Sequence, residues 1–399
     1  MIDRRFAMAG AMLLVSAAPA PKAAGPQARY TMDVSTSSGF GAGMAGMGGR
    51  PSLGAMMGAL RGGTGHSLSL KLWGRGAPPD ARADHAPPQG LMLGASIPLV
   101  APQLQPVERD APDRTPVERD RPRGRILIYW GCGDHVGAGQ PKVIDLATMM
   151  PGQLPPAMLA QMRGAAARAV ARGRGEAVAD RDPRWPNQLD SRGLAANASL
   201  VGAHRVTSAF TPAIGYSLAA GQDFMPPLGL HHSGAAPSGA MRLEWTPAAQ
   251  ATGYALMMFG AAERGDMILW TSAAGGVTPS MDFVAPAEVR RDIAAGRALP
   301  PATSQCLLPT EVASASPAGM VSMVGYGPWL DFADRPKLPT WTSVVRFKSS
   351  ATMMLGMGGM IGGDDSDAPP GALPPRKKHR FGLGDVLTGA IPIPIPIPR

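Results

Sequence analysis

The feature that most constrains this chain is an alternation of apolar and polar residues with the period of a β-strand. Tyr30, Met32 and Val34 alternate with polar residues, and His66–Trp73 places leucines on one face and serines and a lysine on the other. Because successive side chains of a strand point to opposite faces, each segment is predicted to be a strand with one wet side. With a third candidate at Gly90–Pro98, they predict an antiparallel sheet.

The second half of the chain shows strand patterns more often. The apolar run Ile126–Trp130 is bounded by Gly124 and Gly131, which is typical of a strand covered on both faces. Short strands interrupted by one helix, which begins near Pro286 and stops near Gly296, favour a β-sandwich. The candidate strands are His204–Phe210, Met241–Trp245, Gly253–Phe259, Met267–Ser272, Gly319–Tyr326 and Thr340–Phe347.

Glycine and proline divide the chain into parts. The 51 glycines and 42 prolines are concentrated in stretches that lack the apolar side chains of a core, so these are predicted to be disordered loops and a disordered tail. The fold class predicted is therefore mainly β, with two β-rich domains. The predicted division is a signal peptide at 1–24, a β-rich domain at 25–150 with flexible parts at 39–63 and 101–124, a helix and linker at 151–195, a β-sandwich at 196–352 and a disordered tail at 353–399.

The predicted helix inside the linker spans residues 155–172. Met158, Met162, Ala165 and Ala169 recur at helical spacing and form one apolar stripe, with arginines on the opposite side. The segment is therefore predicted to be an amphipathic helix.

A short stretch of the second domain resembles a known family. Leu243-x-Trp245, followed closely by Tyr254, resembles the second and third strands of a fibronectin type III domain, which is an immunoglobulin-like sandwich. Met320–Tyr326 resembles the penultimate strand of that family. The resemblance implies that Trp245 and Tyr254 come from facing sheets and fill one core. The helix near Pro286 is an insertion relative to the family, which serves as a binding and spacing module and implies no active site.

The N-terminus has the layout of a secretion signal. Arg4 and Arg5 precede the apolar run Phe6–Ala18, which is too short to cross a bilayer, and Ala20 or Ala24 follows as the cleavage position. The paired arginines resemble those of a twin-arginine signal, although the spacing to the phenylalanine differs. We therefore expect an exported protein, periplasmic or extracellular, whose mature part has no transmembrane segment.

The formal net charge of +9 narrows the class of partner. A basic balance is typical of proteins that meet nucleic acid, anionic lipid or polyanionic sugars. Export makes nucleic acid an unsuitable partner. The expected partners are an envelope protein, a polyanionic glycan or a membrane surface, and no cofactor is predicted.

The densest group of reactive residues is Cys132, Asp134 and His135. A thiol, a carboxylate and an imidazole placed together could form a nucleophile–base pair or ligate a metal. Adjacent residues of a strand point apart, so convergence needs a turn at Gly131 and Gly133. The alternative is a structural turn. Cys132 and Cys306 are the only two cysteines, and an oxidising compartment favours a disulfide between them, against two separate buried thiols.

Two further patterns could bind metal. Met44 and Met47, with Met354, Met357 and Met360, supply soft thioether ligands suited to Cu(I), although a flexible apolar segment explains them as well. The adjacent His231 and His232 would need a third ligand. The function predicted first is an exported, non-enzymatic interaction protein of the envelope or the extracellular space. The alternatives are a periplasmic enzyme built on Cys132, Asp134 and His135, and a methionine-rich copper-binding protein.

Overall fold

The computed structural model describes residues 25–42, 63–102, 124–145, 181–262, 265–277 and 280–356. The predicted secretion signal, the predicted amphipathic helix and most of the C-terminal tail lie outside these residues. The described part of the chain is mainly β, as the strand alternation predicts.

Sixteen strands and two α-helices are found in the described residues. The strands are β1 (Ala28–Gly39), β2 (Gly63–Gly74), β3 (Arg82–Ala86), β4 (Ile97–Val100), β5 (Arg125–Trp130), β6 (Lys142–Asp145), β7 (Arg184–Trp185), β8 (Gly202–Ser208), β9 (Ile214–Leu218), β10 (His231–Ala235), β11 (Met241–Glu244), β12 (Gly253–Ala261), β13 (Met267–Thr271), β14 (Gln305–Leu308), β15 (Gly319–Ala333) and β16 (Trp341–Leu355). The helices are α1 (Pro286–Ala294) and α2 (Thr310–Ala315).

The strands form one large mixed sheet and one small sheet. The large sheet has 13 strands in the order β6-β5-β13-β12-β15-β16-β1-β2-β7-β4-β3-β8-β9, and the small sheet has the order β10-β11-β14. Strand β1 lies between β2, to which it is antiparallel, and β16, to which it is parallel. Strands from both predicted domains therefore belong to one sheet, and the division into two domains stays a prediction.

The far end of the large sheet folds back over its centre. Tyr216 of β9 stacks on Phe332 of β15 with ring centroids 4.7 Å apart, and its hydroxyl lies 3.9 Å from the sulfur of Met32 in β1. Tyr30, Met32 and Val34, the apolar positions of the first predicted strand, are buried in the core that results. This explains why β1 is strictly alternating at its start.

The small sheet packs on the other half of the large sheet. Trp245, which directly follows β11, meets Tyr254 of β12 edge to face, with ring centroids 5.6 Å apart. Both rings are buried, at 4% and 0% exposure. The Tyr254 hydroxyl accepts a hydrogen bond from the backbone N–H of Ala248 at 2.9 Å, whereas the indole Nε1 of Trp245 is buried without a hydrogen-bond partner among the described residues.

Local sequence patterns placed most strands, but one of the predicted strands does not form. The predicted strand Gly90–Pro98 is wrong, because a 3₁₀ turn at Gln89–Leu91 is followed by Met92 and Gly94 with φ of 58° and 84°. Those left-handed conformations interrupt extended backbone, and the strand begins only at Ile97. By contrast, α1 begins at Pro286 as expected, and Gly296 follows it with φ of 67°.

The meeting of Trp245 and Tyr254 gives a stability prediction. We expect Trp245→Ala to lower the free energy of unfolding by about 3–5 kcal/mol, because it leaves a cavity between the two sheets. The matched control is Trp73→Ala, whose ring is 36% exposed and which should cost less than about 1 kcal/mol. Urea denaturation followed by circular dichroism measures both, and equal losses would contradict the buried position of Trp245.

Candidate functional site

Cys132 and Cys306 form a disulfide in this structure. Cys132 follows β5 after a turn in which Gly131 has φ of 90°, and Cys306 lies in the middle of β14. The sulfur atoms are 2.11 Å apart and the Cα atoms 5.3 Å apart. The bond thus ties the loop after β5, in the large sheet, to the small sheet.

The side chains of Asp134 and His135 turn to two different partners. Asp134 accepts a hydrogen bond from the Ser238 hydroxyl at 2.5 Å, and its backbone carbonyl accepts one from the N–H of Thr310 at 3.0 Å. His135 lies 3.0 Å from a carboxylate oxygen of Glu311. With the sulfur of Cys132 in a disulfide, the three predicted residues form no nucleophile–base pair here. Asp134 and His135 instead connect this loop to Ser238 and to α2, and Cys132 connects it to β14.

The residues predicted to bind a metal do not form a site in the described part of the chain. His231 lies on β10, where its Nδ1 donates to the carbonyl of Gly229 at 2.9 Å and its Nε2 lies 3.7 Å from Glu244. His232 is its exposed neighbour. In the described ranges no three His, Cys, Asp or Glu side chains are grouped as a metal site. Of the methionines, Met354 lies near the end of β16. The rest, Met44, Met47, Met357 and Met360, lie outside the described residues.

A buried line of hydrogen bonds was not predicted from the sequence. The Tyr30 hydroxyl lies 2.5 Å from His85 Nδ1, and His85 Nε2 lies 3.1 Å from His204 Nδ1. His204 Nε2 ends the line, 2.8 Å from the carbonyl oxygen of Leu200. His85 and His204 are 0% and 1% exposed. The line therefore crosses the core between β1, β3 and β8.

The carbonyl oxygen of Leu200, at the end of this line, determines the position of every proton in it. A carbonyl oxygen only accepts, so His204 Nε2 must carry hydrogen, and a neutral His204 then accepts at Nδ1. It follows that His85 donates from Nε2 and accepts at Nδ1, and that Tyr30 donates its hydroxyl hydrogen. All four groups are satisfied only when both imidazoles are neutral.

Burial holds these groups in their neutral forms. Burial, with a smaller contribution from His204, lowers the pKa of His85 to about 3, and burial also lowers the pKa of His204. Burial raises the pKa of Tyr30 well above its ordinary value. Each of these shifts favours the neutral form of its group, which is the form that the hydrogen bonds of the line require.

A second network lies on the outer face of the large sheet. Arg346 of β16 forms a bidentate ion pair with Asp33 of β1, and its guanidinium lies 5.3 Å from the ring of Phe283 and 5.4 Å from that of Trp329. Burial raises the pKa of Asp33, and the bonds from Arg346 oppose that shift. Lys348 also lies over Phe283, at 4.4 Å. These charges are matched by partners within the protein.

The same outer face carries an exposed group of cations around an aromatic ring. The guanidinium of Arg29 in β1 lies 5.2 Å from the ring of Trp73 in β2. Lys71, 42% exposed, is 3.3 Å from Asp182, and Arg75 donates to the carbonyl of Gly25 at 3.0 Å. We call Arg29, Lys71, Trp73 and Arg75 the Arg29–Trp73 surface. A flat ring beside cations suits an anionic partner with apolar or sugar faces.

The disulfide gives a second stability prediction. Cys132→Ser combined with Cys306→Ser opens a loop with a sequence separation of 174, so the free energy of unfolding should fall by about 5 kcal/mol on the chain-entropy model. Dithiothreitol should destabilise the natural sequence in urea and leave the double variant unchanged. A natural sequence indifferent to the reductant would contradict the bond.

The buried histidines give a pH prediction. The unfolded chain binds a proton at His85 below its ordinary pKa of 6.5, whereas the folded chain does so only near 3, so stability is full above 6.5 and is lost as the pH falls. The expected loss is about 1.4 kcal/mol per pH unit. Urea denaturation at about pH 7 and about pH 5 measures it, a range chosen because most carboxylates titrate lower.

His85→Phe should flatten this pH dependence, and the exposed His232→Phe is its control. If the two variants showed the same slope, the loss would have to come from other groups.

Comparisons with family models, with curated proteins and with solved structures give no significant match to this chain. Within the described part of the chain, no helix combines the length and the apolar character needed to span a membrane. The functional conclusion therefore depends on the chain's own sequence and geometry.

Proposed function

We propose that this chain is an exported, non-enzymatic protein that binds a polyanionic partner of the envelope or the extracellular space. We further propose that its C-terminal half is a fibronectin type III-like, immunoglobulin-like sandwich. In support, β11, which corresponds to the second strand of the resemblance, lies in the small sheet. The third and the penultimate strands, β12 and β15, are neighbours in the large sheet, and the Trp245–Tyr254 pair joins the two sheets as the family resemblance implies.

The disulfide is the observation that carries the proposal. Bonds of this kind persist in oxidising compartments and are rare in the cytosol, so the Cys132–Cys306 bond agrees with the secretion signal predicted at the N-terminus. The same bond weighs against an enzyme that uses Cys132 as a nucleophile, because the attacking species is a free thiolate.

The Arg29–Trp73 surface supports a polyanion as the partner. It joins cations to the exposed ring of Trp73 on the outer side of β1 and β2, in a chain whose formal net charge is +9. A polyanionic glycan offers repeated charges at sugar spacing and an apolar ring face. Long-range attraction then steers the partner to the surface, and the ring adds contact area.

The test is binding of dextran sulfate to the full chain recovered from the envelope fraction or medium of a bacterial host. We expect binding that weakens as salt is added, because the charges are exposed. Arg29→Glu combined with Lys71→Glu should raise Kd at least about tenfold. The matched control is Arg205→Glu combined with Arg242→Glu, which changes the net charge equally at two other exposed positions.

Two results would overturn the proposal. Retention of the chain in the cytoplasm contradicts export. Equal weakening by the two double variants shows that net charge alone attracts the polyanion and that the Arg29–Trp73 surface is no binding site.

A further inference from the structure

The two sheets end in four edge strands within the described residues. These are β6 and β9 of the large sheet and β10 and β14 of the small sheet. An edge strand has a row of backbone N–H and C=O groups without ladder partners. Such a row pairs with a strand of another chain unless a charge, a proline, a bulge or a covering segment prevents it. The four edges differ in whether they have such protection.

Three of these edges are protected. β6 carries the exposed charged side chains of Lys142 and Asp145. β10 has a bulge in its pairing with β11. β14 is covered by the loop after β5, which is joined to it by the disulfide and by a hydrogen bond from the Gly133 N–H to the Leu307 carbonyl. Pairing with a further strand is therefore disfavoured at each of them.

Strand β9, at the other end of the large sheet, has none of these protections among the described residues. Its five residues include no charge and no proline, and they pair with β8 without a bulge. No second strand of the described residues pairs with it. Gly215, whose surface consists of backbone atoms, is exposed. A groove of about 520 Å³ is lined by residues 203–205 of β8 and by residues 213–217.

The charge distribution suits a second copy of the chain at this edge. The formal net charge is +9, so two copies repel each other wherever basic surfaces meet. Residues 206–222, which contain β9, include no charged side chain. Two copies can therefore meet along β9 without placing like charges opposite each other. A strongly charged partner would find no opposite charge in this segment.

The side-chain pattern of β9 is also complementary to itself. When two copies pair antiparallel about a two-fold axis at Tyr216, Ile214 of one copy lies opposite Leu218 of the other, and Gly215 lies opposite Ser217. The large apolar residues then share one face of the extended sheet, and the small residues share the other. All five residues are paired, and each copy uses the same surface, as in a closed dimer.

We infer that β9 is the contact of a homodimer, in which it pairs antiparallel with β9 of a second copy and extends the large sheet across a two-fold axis. This contact is independent of the proposed polyanion binding, which uses the Arg29–Trp73 surface on β1 and β2. A strand of a different protein is the competing occupant of the edge.

Light scattering of the full chain at increasing concentration tests the contact, and the molar mass should rise toward that of two chains. Gly215→Lys combined with Ser217→Lys should raise the dimer Kd at least about tenfold, because the added lysines of the two copies lie across the contact. A side chain fits at Gly215, where the atom nearest to an added Cβ is 4.0 Å away. The matched control is Ala86→Lys combined with Val143→Lys, which adds the same charge at exposed positions of β3 and β6 and should leave Kd unchanged.

A second test uses geometry in place of charge. Gly215→Cys and Ser217→Cys, purified separately and then mixed under oxidising conditions, should form a covalent dimer. Directly opposite residues are about 5 Å apart at Cα, which a disulfide can span. In either variant alone, the two new cysteines lie on a diagonal of about 7–8 Å, so little covalent dimer should form. Non-reducing electrophoresis measures both.

The outcomes separate a second copy from the competing occupant. A chain that stays monomeric at every concentration would overturn the inference and would leave the edge to a different protein. Equal weakening by the two lysine pairs would also overturn it, because charge at any position would then separate the copies. Circular dichroism checks the folding of each variant. Should the lysine pair at β9 fail to fold, the cysteine mixture decides, and the absence of a covalent dimer contradicts the contact.

Discussion

Strand β1 holds the two halves of the chain together, because it pairs along its whole length with a strand from each half. Its 12 residues are hydrogen-bonded to β2 on one side and to β16 on the other. Its inner side chains enter the core, and Asp33 on its outer side is bound by Arg346. The N-terminal strands can therefore complete their sheet only after the C-terminal strands are present, and such non-local pairing makes folding slow.

The disulfide complements that pairing at the other side of the molecule. The small sheet shares no strand ladder with the large one in the described residues. Side-chain packing, the Cys132–Cys306 bond and a hydrogen bond from the Gly133 N–H to the Leu307 carbonyl attach it. The Trp245–Tyr254 contact supplies the packing. The loop of Asp134 and His135 closes around the bond through Ser238 and Glu311, which gives these polar residues a structural role in place of the catalytic one their spacing suggests.

The sequence predicts strands and helices whose signal lies within a few consecutive residues. It does not predict contacts that depend on how strands are aligned. Alternation located β1 and β2, the apolar run Ile126–Trp130 located β5, and Pro286 located α1, because each signal lies within one element. Strand β9 was missed because its alternation of Ile214, Tyr216 and Leu218 spans only five residues, and β14 because four residues show too little of a pattern. The buried line of hydrogen bonds needs β3 beside β8, with His85 opposite Val206, so that His204 becomes its diagonal neighbour. Nothing within either strand encodes that neighbour.

The outer face of the large sheet changes character from one end to the other. Around β1, β2 and β16 it carries Asp33, Lys71 and Arg346, which suit water, and around β12, β13 and β5 it carries Phe259, Leu269 and Ile128, which do not. Since one continuous sheet bears both, its polar end can meet water directly, whereas its apolar end would cost free energy if it were left in water. The proposed polyanion site lies at the polar end, so charge substitutions there leave the apolar side chains of β12, β13 and β5 unchanged.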